Sequence, residues 1–250
     1  MRIAMGLEYD GTAYYGWQRQ CTLPSIQERV ESALSRIANH AVSVQCAGRT
    51  DAGVHAMGQV IHFDSTAQRT VRAWILGGNN ELPADIRILW AKPVVEDFHA
   101  RYSAVAREYR YSIYNHHVAS ALFHKRAMWC RYELDVERMQ AAAFYLLGEH
   151  DFSSFRGSGC QSRSPCRRVT EIKITQGGNM VNITVKGNAF LLHMVRNIVG
   201  SLVLVGIGQK SSSWMQELLM AKDRRLAGVT APAHGLYLVR VEYPQHLLLS

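Results

Sequence analysis

Between two apolar runs, Val42 to Ala47 and His55 to Phe63, lies the stretch Gly48-Arg49-Thr50-Asp51-Ala52-Gly53-Val54-His55, whose glycines let the backbone turn sharply and present short side chains. A carboxylate at Asp51 has two readings. As a turn cap it accepts backbone N–H bonds; as a reactive group it needs partners that hold a substrate and keep it ionised. Two other segments offer candidates. In Arg107-Glu108-Tyr109-Arg110-Tyr111-Ser112-Ile113, strand alternation puts Tyr109, Tyr111 and Ile113 on one face and Arg110 on the other. That face is either core or a platform for stacking nucleic-acid bases. In Phe190-Leu191-Leu192-His193-Met194-Val195-Arg196-Asn197, a lone arginine sits inside an otherwise apolar helix. Burying it is costly unless a carboxylate meets it, and Asp51 is a suitable partner.

The elements that must position these groups follow from periodicity. Ile3, Met5, Leu7 and Tyr9 alternate as a half-buried strand. Ser25 and Glu28 have capping-box spacing, and Ile26, Val30, Ala33, Leu34 and Ile37 share one face of a helix running to about Asn39. Strands at Val42–Ala47 and His55–Phe63, a helix around Val71, Trp74 and Ile75, and a strand at Ile86–Ala91 complete a β-α-β-β-α-β order. The second half repeats it. A strand over Val105–Tyr114 precedes a helix opened by Asp135 and closed near Gly148, with Met139, Ala142, Ala143 and Leu146 inward. Strands at Val169–Thr175 and Met180–Lys186, a helix from Leu191 to about Val205, a short helix opened near Ser213 and a strand from Leu236 to Tyr243 follow. The expectation is an α+β protein of two tandem ferredoxin-like units, residues 1–104 and 105–250. Two connections, Asp10–Gln20 and His116–Arg131, are too long for simple turns and read as functional or mobile, and a third, Phe152–Arg168, is rich in Ser, Gly, Arg and Cys and cannot build a core of its own. The arginines of the third suit phosphate contacts or a solvated surface equally well.

Composition narrows the class. With 250 residues, 48% of them hydrophobic and 19% charged, the chain is not a disordered polyelectrolyte. Its formal net charge of +8 favours an acidic partner such as nucleic acid. The first ten residues acquire carboxylates before any apolar stretch develops, so no signal peptide is expected and a cytoplasmic protein is. The apolar run Ala189–Gly208, broken by His193, Arg196 and Asn197, reads as a core helix; no membrane partner is expected. Five cysteines without a C-x-x-C pair fit reduced thiols, and Cys160 with Cys166 lack the paired spacing of a zinc site, so no metal is expected.

Taken together, Gly16-Trp17-Gln18-Arg19-Gln20, the Ala47–His55 stretch, Phe98-His99-Ala100-Arg101, Arg107–Tyr111, Ala189–Gly200 and Gly235-Leu236-Tyr237-Leu238 resemble the TruA family of tRNA pseudouridine synthases, in order and over essentially the whole chain. The resemblance implies two ferredoxin-like units with antiparallel sheets joined side by side and a catalytic cleft between them. It also implies that Asp51 is a catalytic aspartate attacking a uridine in the anticodon stem-loop, at positions 38, 39 and 40 of the tRNA, with no cofactor. Arg49 would assist base flipping, Tyr109 would stack on the flipped base, Arg196 would pair with Asp51 and Leu236 would supply an apolar wall. Regions matching tRNA contacts are Arg69, the segment Phe98, His99, Ala100, Arg101, Tyr102, and the segment Gly159, Cys160, Gln161, Ser162, Arg163. His117 and Cys130 stand at further contact positions where relatives often place arginine or an aromatic ring. The family also implies a homodimer holding tRNA across both subunits.

Two other readings compete. A non-catalytic RNA-binding module explains the charge and the tyrosines but not an Asp beside an Arg in a glycine-bounded loop. A metal-dependent nuclease using Asp51 and His55 has too few ligands. The charge excess is itself localised. Residues 98–130 hold five basic residues against Glu108, residues 152–173 hold five against Glu171, and the rest of the chain balances.

Overall fold

The capping-box spacing does what it predicts. In the computed structural model, which describes residues 1–247, Ser25 Oγ accepts the N–H of Glu28 at 3.4 Å and opens α1 (Ile26–Ala38). Asn39, in the left-handed region at φ 57°, closes it. The protein is mixed α+β, and its chain gathers into two units. The first comprises Met1–Ala106 and the segment from Tyr237 onward; the second is Arg107–Leu236.

In the first unit, β1 (Arg2–Tyr9) pairs antiparallel with β3 (His55–Asp64) on one side and β4 (Ile86–Val94) on the other. Beside β3 lies β2, only Gln45–Cys46. That strand is shorter than the apolar run Val42–Ala47 predicts because side chains of α1 take its backbone donors: Val42 N–H goes to Ser35 Oγ at 2.9 Å and Val44 N–H to Glu31 Oε1 at 3.0 Å. In contrast, β4 is longer than expected and passes through Pro93, which is tolerated because β4 is the outer strand. Helix α2 (Val71–Glu81) is capped by Thr70, whose hydroxyl accepts the N–H of Ala73 at 3.1 Å. Ala4, Ala47, Val60, Val94, Phe98 and Ala100 form one buried cluster under this sheet.

In the second unit, β5 (Ala106–Asn115) carries the tyrosine segment. A short strand β6 (Met128–Cys130) runs parallel to it inside the stretch expected as a loop. Helix α3 (Val136–Ala143) passes into a 3-10 turn at Phe144–Leu146, and β7 (Gly148–Asp151), which alternation does not predict, pairs with β8 (Cys166–Gly177). Next comes β9 (Met180–Gly187), antiparallel to both β8 and β5. Helix α4 (Met194–Gly206) starts three residues later than its apolar run predicts, because His193 is left-handed at φ 59°. Its buried Ile198, Val199, Leu202 and Val205 each contribute roughly 1.5–3 kcal/mol of burial. After α5 (Trp214–Ala221) comes β10 (Leu236–Glu242). A division at 104/105 assigns β10 to the second half, whereas its Tyr237 and Leu238 run parallel to His55 and Ala56 of β3 and group with the first unit.

Candidate active site

The Gly48–Val54 loop joins β2 to β3, and the long Asp10–Gln20 connection holds it. The carbonyl of Thr50 accepts the N–H of Trp17 at 2.9 Å, and Gly53, at φ 77°, donates to the carbonyl of Tyr14 at 3.3 Å. The turn itself closes through the backbone, Val54 N–H to Asp51 C=O at 3.1 Å. Packing is tight enough to dictate glycine: at Gly16, whose φ is 92°, a Cβ would stand 2.7 Å from the carbonyl oxygen of Thr50. The connection is tied in turn to α1, where Gln27 Oε1 accepts the N–H of Arg19 at 3.1 Å and the buried Glu31 carboxylate pairs with Arg19 Nη2 at 2.7 Å. Asp51 is half-buried and Arg49 exposed at the outer edge of this brace.

His55 belongs to the same framework. Its buried ring has Nδ1 3.1 Å from both the Gly11 N–H and Asp10 Oδ1, and it stacks on Tyr237 at 4.7 Å. Among the described residues no group of three or more His, Cys, Asp or Glu stands where a metal ion could be held, and no helix is long and apolar enough to cross a membrane. All five cysteines are free thiols.

Arg49, expected to assist base flipping, and Arg101, expected to contact tRNA, both act electrostatically on Cys46. Burial pushes the Cys46 thiol up to about 12, against the opposing charges of Arg49 and Arg101. The Phe98–Tyr102 segment divides by burial. Phe98 and Ala100 are fully buried, whereas Arg101 and Tyr102 are exposed, with the guanidinium 5.7 Å from the ring centre. His99 Nδ1 accepts the N–H groups of Arg101 and Tyr102 at 3.1 and 3.3 Å. Arg69 is exposed and its Nε donates to the carbonyl of Ile37, near the end of α1, at 3.0 Å.

In the second unit Tyr109 and Tyr111, two of the three tyrosines of β5, part company. Tyr111 is fully buried and donates its hydroxyl to the carbonyl of Pro232 at 2.8 Å. Burial pushes that hydroxyl's pKa up, with the charge of Arg196 opposing. Tyr109 is half-buried, meeting Phe190 edge-to-face at 5.1 Å. Arg196 is half-buried too; its Nε donates to the carbonyl of Ala231 at 2.8 Å while the Ala231 N–H returns to the Arg196 carbonyl at 3.2 Å. Leu236 is buried at the end of this unit.

The Phe152–Arg168 connection uses its arginines unequally. Arg156 Nη2 donates to the carbonyls of Cys160 and Ser162 at 2.7 and 2.8 Å, and Arg167 Nη2 donates to Ser162 Oγ at 2.6 Å, so both clamp the loop from within. Gly159, Gln161, Arg163 and Arg168 are exposed, and Cys160 and Ser162 are half-buried. His117 is exposed beside His116, ring centres 4.1 Å apart, whereas Cys130 is buried on β6 with its thiol 3.4 Å from the carbonyl of Tyr132. Sequence reasoning passed over Gln59 and Tyr9, whose side chains reach the loop carrying Asp51. The sequence signal for Gln59 is that it and His62 are the two polar side chains in the run Ala56–Phe63.

The sequence matches the tRNA pseudouridine synthase family over residues 6–103 and 142–244, and the chain belongs to that family. Curated relatives named tRNA pseudouridine synthase A include one from Coxiella burnetii, 59% identical over 99% of this chain and 95% of its own. Another, from Vibrio cholerae, is 58% identical over 98% of this chain and 93% of its own. Vibrio parahaemolyticus has one that is 55% identical over 100% of this chain and 94% of its own.

Proposed function

We propose that this chain converts uridine to pseudouridine in the anticodon stem-loop of tRNA, at positions 38, 39 and 40. Asp51 attacks the target nucleotide, the C1′–N1 bond breaks, C1′ rejoins the base at C5, and the bond to the Asp51 carboxylate is released to regenerate the enzyme. N1 gains a proton and C5 loses one, so the reaction is an isomerisation that calls on no redox cofactor, nucleotide or metal. A base inside a stem cannot reach a carboxylate; Arg49 assists its departure from the stack and Tyr109 supports the extruded ring. Arg196 serves as the ion-pair partner of Asp51, and Leu236 supplies an apolar wall. Arg69, Arg101, Tyr102, His117 and the 159–163 segment serve the tRNA, in a homodimer acting in the cytoplasm.

The observation that carries this reading is the loop itself. A carboxylate that only capped a turn would not call for a backbone pinned at Thr50 and Gly53 by a separate eleven-residue connection, with Asp51 left half-buried at the surface. Two ferredoxin-like units are the architecture proposed with it; the β4-β1-β3-β2 pairing, antiparallel throughout, supports this in the first unit. Incubation with unmodified tRNA and no added cofactor, followed by carbodiimide-dependent reverse-transcription stops, tests the proposal. Stops in the anticodon arm are expected; their absence overturns it.

A further inference from the structure

The register of β1 against β3 slips beside the active loop. Leu7 faces Gln59, but Tyr9 faces Ala56, so one extra residue of β3 is accommodated around Met57 and Gly58. Such a bulge re-aims side chains, and here the backbone at Gly58 is also crowded: a Cβ would stand 2.2 Å from the carbonyl oxygen of Val239. The side chain beside the slip is an amide with no solvent exposure at all.

Gln59 uses its whole hydrogen-bonding capacity. Nε2 donates to the carbonyl of Gly48 at 2.6 Å and to Tyr9 Oη at 3.3 Å; Oε1 accepts the N–H of Gly48 at 3.3 Å and of Val60 at 3.2 Å. Gly48, the first residue of the loop, is thus gripped at both its donor and its acceptor. Tyr9 Oη stands 2.8 Å from Thr50 Oγ1, and both side chains are buried. From Gln59 the chain of bonds therefore fixes residue 48 directly and residue 50 through the phenol, and these two bracket Arg49 and precede Asp51. A buried polar network satisfied at this level is stiff, and a single lost member strands its partners.

We infer that Gln59, Tyr9 and Thr50 are positioning residues for the isomerisation, setting the backbone from which Arg49 and Asp51 project. The inference rests on the proposed catalytic role of Asp51. A carboxylate nucleophile must meet its carbon at a defined distance and angle, and displacement of about 1 Å can cost on the order of a hundredfold in rate. All three side chains are buried, so their loss is expected to act on the chemical step and to leave tRNA affinity alone.

The test measures single-turnover pseudouridine formation and tRNA binding for Tyr9→Phe, Thr50→Val, Thr50→Ser and Asp51→Asn, with thermal midpoints alongside. Tyr9→Phe and Thr50→Val, each nearly isosteric, are expected to slow the saturated rate by about tenfold or more while the dissociation constant for tRNA stays within about twofold. Thr50→Ser, which keeps the hydroxyl, should recover most of the rate. If Tyr9→Phe does not fold, Thr50→Val alone decides. Rates near the parent's in Tyr9→Phe and Thr50→Val, with Asp51→Asn inactive, overturn the positioning inference and leave the catalytic reading standing. Weakened tRNA binding with an unchanged saturated rate overturns it as well. An active Asp51→Asn overturns the catalytic reading and the inference together.

Discussion

His62 Nδ1 accepts the backbone N–H of Ala100 at 3.1 Å, a bond that requires this nitrogen to be unprotonated. The ring sits 4.6 Å from that of His99, and burial, reinforced by His99 and Arg2, lowers the His62 pKa to about 4. These histidines are the internal supports of the segment that presents Arg101 and Tyr102 at the surface.

A pH dependence of stability follows from the lowered value. Because the folded ring titrates near 4 and the ordinary ring near 6.5, the unfolded chain takes up the proton first as pH falls. The penalty for charging the ring is absent above about 6.5, grows as pH falls between there and about 4, and reaches at most about 3 kcal/mol. Denaturant unfolding of the parent and of His62→Gln across this window checks it: the parent should lose more stability than the variant, and parallel curves would refute the account.

Arg196 makes a different kind of prediction. Its Nε bond to the Ala231 carbonyl is absent in Arg196→Met, which leaves that oxygen without this donor and should cost about 1–2 kcal/mol together with pseudouridine formation. Arg196→Lys, which lacks the Nε geometry, should lose comparable stability. Calorimetry and tRNA assays on both variants provide the check; parent-like stability and turnover in Arg196→Met would refute the assigned role.

Phosphate recognition should be visible as salt dependence. Neutralising Lys125, Arg126 and Arg163, which lie in the two basic stretches and are exposed, is expected to make the plot of log affinity for tRNA against log salt shallower by about 2. The melting curve should not move. An unchanged slope would place the phosphate contacts elsewhere. Arg156 and Arg167 are deliberately left in place, since they clamp their own loop.

Much of this architecture is written in local signals. Ser25 with Glu28 and Asn39 delimit α1 because capping acts within a few residues, and the alternation of β1 reports its buried face. Signals failed where distant groups intervene. Val42 and Val44 look like strand, but Ser35 and Glu31 capture their donors; β6 and β7 have little apolar alternation and exist because a neighbouring strand accepts them. At the site, Asp51 and Arg49 stand out through a compact motif. Gln59 and Tyr9 are invisible there, since their meaning depends on a register slip between strands fifty residues apart. Tyr111 matched Tyr109 by alternation, yet the hydrogen bond to Pro232 and the close approach of Gly235 make it core.

The central claim is that the Asp51 carboxylate does the chemistry and that tRNA binding is built from other groups. Asp51→Asn preserves size and replaces the anion with a neutral amide, so the direct measurement is pseudouridine formation and tRNA affinity for this one variant. Affinity within about threefold of the parent, with isomerisation reduced by about a thousandfold or more, is the predicted result. Substantial pseudouridine formation by Asp51→Asn would contradict it.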